Sequence, residues 1–294
     1  MIYRNSVESI VLTLLLTLGG ACVFAQPETD VYLATLEHKK DGFEVSTPEN
    51  ISRNPGYDNQ PYFLNEDALL YSRTRNGQTD IAKYSLSKAE ITWISDTPGG
   101  SEYSPVKIPA QEAVSSIRLD TTGLQRLYSY PLDGGANTLL IADLKIGYHL
   151  WYTPEVLVCT VLIDNRMDLV VVNLKDGSRY TYQKNVGRSL ERIPDSDRIS
   201  YTALEEGKLM VKSMNPISGA TETIAELPKG VQDICWLDPV QIICGVGAAL
   251  HVFKVKEKGP WKPFYSLQNS KSSISRIAYD IPSNNLALVV EVLE

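Results

Sequence analysis

The sequence predicts an all-β chain, a six-bladed β-propeller of four-stranded blades, on three observations. A strand-and-turn unit recurs about every 43 residues, a period that marks propeller blades. The last unit stops after two strands, and two strands of matching pattern precede the first unit. The composition, with 16 Tyr against 5 Phe, 16 Pro and 19 Gly in 294 residues, leans towards strands and turns.

The first complete unit is the clearest. Gln60-Pro61-Tyr62-Phe63-Leu64 reads as a strand, Asn65-Glu66-Asp67 as a turn and Ala68 to Arg73 as a second strand. Asn76-Gly77, between two alternating runs, is the strongest short hairpin signal, and Asp80 to Ser85 and Ile91 to Ile94 follow as third and fourth strands. The pattern returns at Ser104 to Ile108, Val114 to Leu119 and Leu127 to Pro131. It returns at His149 to Tyr152, Glu155 to Ile163, Asp168 to Leu174 and Arg179 to Gln183, and again at Ser189 to Ile193, Arg198 to Leu204, Lys208 to Met214 and Thr221 to Ala225. A fifth unit covers Val231 to Trp236, Gln241 to Val246, Leu250 to Val255 and Lys262 to Leu267.

The sixth unit has only Ser275 to Tyr279 and Leu286 to Val292. Two missing strands would leave a bare sheet edge, which native proteins avoid. Asp30 to Leu36 reads like the third strand of the other units, and Phe43 to Ser46 like a fourth. The N-terminal strands are therefore expected to complete the last blade and close the ring. Six units leave roughly 45 residues each, enough for four short strands with turns. A sandwich pair or an open solenoid would use similar strands, but a fixed period with two-plus-two ends favours the closed ring.

Residues 1–25 have a different character. Arg4 precedes an apolar run from Ile10 to Leu18, and Val23-Phe24-Ala25 fits a signal-peptidase cut after Ala25. The run is about nine residues, too short to span a bilayer. The expectation is a signal peptide at 1–25 and one propeller domain at 26–294, periplasmic or secreted, with no transmembrane span after cleavage. Lipidation at Cys22 is the lesser alternative, because Leu18 lies one position too early for the usual lipobox. Cleavage leaves Cys159, Cys235 and Cys244. Cys235 and Cys244 flank the turn at Asp238-Pro239 and would face each other in a symmetric hairpin, but two reduced, buried cysteines are the preferred reading.

A net charge of −7 without clustered Lys and Arg argues against nucleic acid and against a polybasic membrane contact. Candidate chemistry gathers where the first strands line a central channel. Aligned there are Gln60, Ser104, His149, Ser189, Asp233 and Arg276, preceded by Asn59, Tyr103, Tyr148, Arg188, Gln232 and Ser275, with Asp58 and Glu102 just outside. This polar, mixed-sign mouth suits a small polar ligand or a protein partner's loop. The ligand-binding candidates are Asp58, Asn59, Glu102, Tyr103, Tyr148, His149, Arg188, Gln232, Asp233 and Arg276. His38 reads as a solvated turn residue, His251 as a packed third-strand residue and Asp195-Ser196-Asp197 as a polar turn. No catalytic, cofactor or metal residues are assigned, and a monomer is expected.

The stretch Tyr57-Asp58-Asn59-Gln60-Pro61-Tyr62-Phe63-Leu64-Asn65-Glu66-Asp67, then Ser72-Arg73 and Asn76-Gly77-Gln78-Thr79-Asp80-Ile81, resembles a blade of the TolB-type, WD-repeat-like propellers. So does the bridge Ile94-Ser95-Asp96-Thr97-Pro98-Gly99-Gly100-Ser101-Glu102-Tyr103-Ser104-Pro105. Tyr62-Phe63 stand where that family has Trp, and no unit keeps an intact Trp-Ser-Pro-Asp-Gly. The resemblance implies an envelope propeller used as a non-enzymatic binding platform. It does not carry the role of TolB's additional N-terminal α/β domain, for which the chain shows no counterpart. Nor does it carry a peptidase, since no Gly-x-Ser-x-Gly segment occurs. The alternative is a metal-dependent hydrolase of the lactonase type, with Asp58, Asn59, Glu102 and Asp233 as oxygen donors, a reading that Arg188 and Arg276 oppose.

Overall fold

The computed structural model describes residues 26–292 except Asp41 and Ser270. The expected signal peptide and Cys22 lie outside the described residues. The chain opens with β1 (Thr29–Lys39), β2 (Gly42–Val45) and the short β3 (Glu49–Asn50). Blade I is β4 (Asp58–Asn65), β5 (Ala68–Arg75), β6 (Gln78–Ser85) and β7 (Glu90–Trp93). Blade II is β8 (Gly100–Lys107), β9 (Ala113–Asp120), β10 (Gln125–Pro131) and β11 (Thr138–Ile141). Blade III is β12 (Ile146–Trp151), β13 (Val156–Ile163), β14 (Arg166–Asn173) and β15 (Arg179–Gln183). Blade IV is β16 (Val186–Arg192), β17 (Ile199–Glu205), β18 (Lys208–Met214) and β19 (Thr221–Glu226). Blade V is β20 (Cys235–Asp238), β21 (Gln241–Val246), β22 (Ala249–Lys254) and β23 (Lys262–Ser266). The chain returns with β24 (Ser272–Asp280) and β25 (Asn285–Val292).

All neighbouring strands within a blade pair antiparallel, and the six sheets make a six-bladed propeller. Asn76 and Gly77 both take positive φ, at 49° and 79°, so the hairpin between β5 and β6 turns as its Asn-Gly pair predicts. Blade VI has the order β2-β1-β25-β24. β1 runs against β25 from Thr29↔Glu291 to Thr35↔Asn285, β2 flanks it outside, and β24 is the inner strand. The N-terminal strands thus close the ring, with β1 alone docking on the C-terminal pair.

Alternation along each strand sends apolar side chains to both faces of a blade, and neighbouring blades bury them together. The resulting core is a circle of clusters, one at each of six blade junctions. Leu36 and Ala34 join blade V residues such as Ile243 and Leu250, while Val31 on the same strand joins Leu69 and Tyr71 of blade I. Cys235 and Cys244 illustrate the same alternation. Cys235 pairs with Ile243 and Cys244 with His251, which places them in different seams and corrects the symmetric-hairpin reading. All three described cysteines are free and buried.

Polar locks repeat alongside the apolar seams. Ser52 Oγ donates to Asp30 at 2.7 Å and accepts from Val31 N at 3.0 Å. Ser95 Oγ repeats this with Asp80 at 3.2 Å and Ile81 N at 2.8 Å. Trp151 Nε1 donates to Ser115 Oγ of the preceding blade, and Trp236 Nε1 to Ser200 Oγ, each at 2.8 Å. Blade V departs from the others. Val231 to Ile234, expected in its inner strand, are unpaired, and β20 begins only at Cys235. The start of β24 presses on β21 there, and a Cβ at Gly245 would stand 2.3 Å from the Ile274 carbonyl oxygen.

Two outcomes follow from this packing. Deleting the chain through Thr47 removes Val31, Ala34 and Leu36 from two seams. At roughly 1.5–3 kcal/mol per large apolar side chain, this approaches the whole stability of an ordinary domain. Thermal and urea unfolding should lose cooperativity, and a shortened chain that melts like the full one would contradict the closure. Gly245→Ala should cost on the order of 1–3 kcal/mol, because the obstacle is backbone, and urea unfolding measures it.

Candidate functional site at the central channel

Six inner strands converge on the channel, each with a register shift against its neighbour, and in two of them the backbone takes positive φ at the shift. Gln60 and Ser104 hold positive φ, at 58° and 53°, each followed by proline, where the registers of β4 and β8 shift against their neighbours. A non-glycine residue in this region costs on the order of 1 kcal/mol and persists only when its surroundings demand it. The surroundings here are explicit. Gln60 Oε1 accepts from Ser72 Oγ at 2.9 Å and from Ser104 N at 2.8 Å, which joins blades I and II at the channel wall.

A crossbar spans the channel. Arg276 of blade VI donates to the Tyr148 hydroxyl of blade III, on the opposite side of the ring, at 3.2 Å. Its guanidinium lies 5.3 Å from the Tyr148 ring centroid. Arg188 of blade IV pairs with Asp233 of blade V and donates to the Ser275 carbonyl of blade VI at 2.9 Å. Arg276 stands 3.7 Å from the second oxygen of Asp233. Burial disfavours the Arg276 charge, but Asp233, Tyr148 and Tyr57 outweigh it and hold the guanidinium charged. The crossbar is the floor of a cavity of about 740 Å³ that opens on the other side towards the turns after the inner strands. Residues from all six blades line it, so it is a cup with a polar base.

His149 and Glu191 line this cup. His149 is 5% exposed, its Nε2 lies 2.7 Å from Ser115 Oγ, and its Nδ1 has no partner. Burial pushes its pKa down to about 3, so the ring is neutral. Glu191 is pushed up to about 8 by burial, with Asp233 adding and Arg276 opposing. It follows Ser189 by two residues on β16, and the period-2 rule alone points it at the channel. The sequence reading stopped at Ser189 and missed it. Tyr57 is a second omission; its ring meets Tyr103 edge-on at 6.0 Å, and burial pushes its hydroxyl up to about 12.

The structure gathers Tyr148, His149, Arg188, Asp233 and Arg276 at the cup. Gln232 lies on the opposite face, on two grooves beside blade V. Three carboxylate or amide candidates turn into the blades instead. Asp58 is fully buried, accepts from Asn54 and Thr74 N and pairs with Arg73 at 3.3 Å; burial raises its pKa to about 6. Asn59 donates to Thr29 Oγ1 at 3.2 Å. Glu102 accepts from Tyr130 at 2.9 Å and lies 3.1 Å from Ser95 Oγ, and burial raises its pKa. These are side chains that hold blade junctions. Among the described residues, no group of three or more His, Cys, Asp or Glu is arranged to hold a metal ion.

No family model and no curated protein matches the chain by sequence. Solved structures match it in fold. A protein assigned as a TolB, from Agrobacterium tumefaciens, superposes with a TM-score of 0.69 at 12% identity, over 90% of this chain and 99% of that one. TolB from Acinetobacter baumannii gives 0.53 at 14% identity over 69% of this chain, which spans about half (52%) of that protein. An oligogalacturonate lyase in complex with manganese gives 0.56 at 13% identity, over 90% and 91% of the two chains. At such identities the likeness is one of fold.

The Glu191 environment sets a pH dependence. Its pKa is higher folded than unfolded, so its contribution is fully favourable below about 4.5 and is lost as pH rises through about 8. Glu191→Gln should therefore be more stable than the parent at pH 8 and equal to it near pH 4. The group is half-buried on an open cup, so the gain should be roughly 1–2 kcal/mol. Urea unfolding at the two pH values tests it, and a pH-independent difference would refute the assignment.

Proposed function

We propose that this chain is an exported, TolB-like propeller that serves the cell envelope as a non-enzymatic binding platform, taking a protein segment or a small polar ligand at its channel. Residues 1–25 act as the signal peptide on this reading, and 26–294 as the working domain. The observation that carries the reading is the crossbar, because it turns a water-filled passage into a floored cup. Ligand sites are concave, built from several elements and furnished with a few convergent polar groups, and the cup has each of these properties. Among the described residues no helix is long and apolar enough to cross a membrane. A metal-dependent hydrolase is the less supported alternative, since Asp58, Asn59 and Glu102 spend their hydrogen-bonding capacity inside the blades.

Capture with the immobilised mature chain from an envelope extract, beside its Arg188→Ala variant, tests the site. A partner or ligand recovered by the parent should fall at least tenfold with the variant, whose melting should remain cooperative. Equal recovery would place binding elsewhere on the surface. A melting shift produced by Ca²⁺ or Mg²⁺ and reversed by chelator would instead favour the hydrolase.

A further inference from the structure

The crossbar leaves one cation without a full partner. Arg188 occupies one oxygen of Asp233, whereas Arg276 stands 3.7 Å from the other, beyond hydrogen-bond distance. Among the described residues, the only hydrogen bond that the Arg276 side chain makes is with the Tyr148 hydroxyl. Lys107, Arg188, Arg192 and Arg276 line the cup against Asp233 and Glu191, so its cations outnumber its acids in a chain of net charge −7. A cationic recess in an acidic surface focuses anions.

Unspent donors share the recess. A backbone N–H must face the oxygen of the Gln60 amide, so the Ser104 N contact fixes the flip and leaves Nε2 without an acceptor among the described residues. Ser104 Oγ is buried without a partner. His149 Nδ1 is also buried without a partner. Leaving a buried hydroxyl such as Ser104 Oγ unpaired costs about 1–3 kcal/mol, a cost that a bound acceptor relieves.

We propose that the cup binds a carboxylate, with Arg276 as counter-ion and Gln60 and Ser104 as donors to its oxygens. The proposal rests on the channel being the binding site. A monoanion fits better than a phosphate dianion, because Asp233 stays on the floor. Tyr62 and Tyr148 line the same space and offer flat walls to the body of the ligand. The carboxylate belongs to a free small molecule or to a chain terminus.

Benzoate, titrated calorimetrically into the mature chain, is the probe, with benzamide as its uncharged isostere. Benzoate should bind at least tenfold more tightly. Gln60→Glu should weaken it at least tenfold without altering the melt, since a carboxylate accepts from Ser72 and Ser104 N as the amide does. Arg276→Gln should weaken it to a similar extent. Equal affinity for the two probes, no binding of either, or unchanged benzoate affinity in Gln60→Glu would overturn the proposal. Tighter binding of the peptide Gly-Gly-Phe than of its C-terminal amide would support a chain terminus as the source; benzoate binding without peptide binding would support a small molecule. If benzoate fails while capture still depends on Arg188, the platform stands and the carboxylate does not.

Discussion

The pairing of β1 with β25 is the contact on which the rest depends. A propeller has no central core; its apolar residues are distributed over junctions, each built from faces of two neighbouring blades. Every seam needs both faces. Supplying half of blade VI from one end of the chain and half from the other makes the last two seams conditional on a single strand pair. Val31 and Leu36, on opposite faces of β1, bury completely in different seams. This couples chain ends separated by nearly the full sequence, so the ring is cooperative although most of its strand pairs are local hairpins.

The site inherits that dependence. Arg276 and the Ser275 carbonyl belong to β24, the inner strand of the blade that both chain ends build. Arg276 reaches Tyr148 of blade III and Arg188 reaches Ser275, so the crossbar holds only while the ring keeps its diameter. The bulges in β4 and β8 act on the same geometry from the opposite wall. They place Gln60 and Ser104 at the channel in a backbone conformation that proline, the Gln60 amide and the Ser72 hydroxyl together maintain.

The architecture was legible in the sequence because it rests on periodicity and turn chemistry, and both are local. Asn76-Gly77 dictates its hairpin, and the resemblance of Asp30 to Leu36 to a third strand was enough to find the closure. The site was legible in part. Tyr148, His149, Arg188, Asp233 and Arg276 came out of aligning the inner strands, because the repeat carries each to the same height in the ring. Asp58, Asn59 and Glu102 did not behave as counting suggests. Their partners Arg73, Thr29 and Tyr130 come from other strands, and alignment of the inner strands alone does not show which side chains such partners claim. The unpaired stretch from Val231 to Ile234 escaped for another reason. Ile274 of the next blade stands against Gly245 there, a contact that no local pattern encodes.

Saturation of the polar groups separates structure from function here. Asp30, Asp58, Asp80 and Glu102 are surrounded by serine, arginine, asparagine or tyrosine donors that use their oxygens within the fold. Those carboxylates explain themselves by what they hold together. His149 Nδ1 and Ser104 Oγ have no such account, and Arg276 has only a partial one. All three residues line the cup, where all six blades meet. A structural channel would be served as well by groups that satisfy one another. A recess whose donors converge without acceptors is already shaped for something that brings its own oxygens.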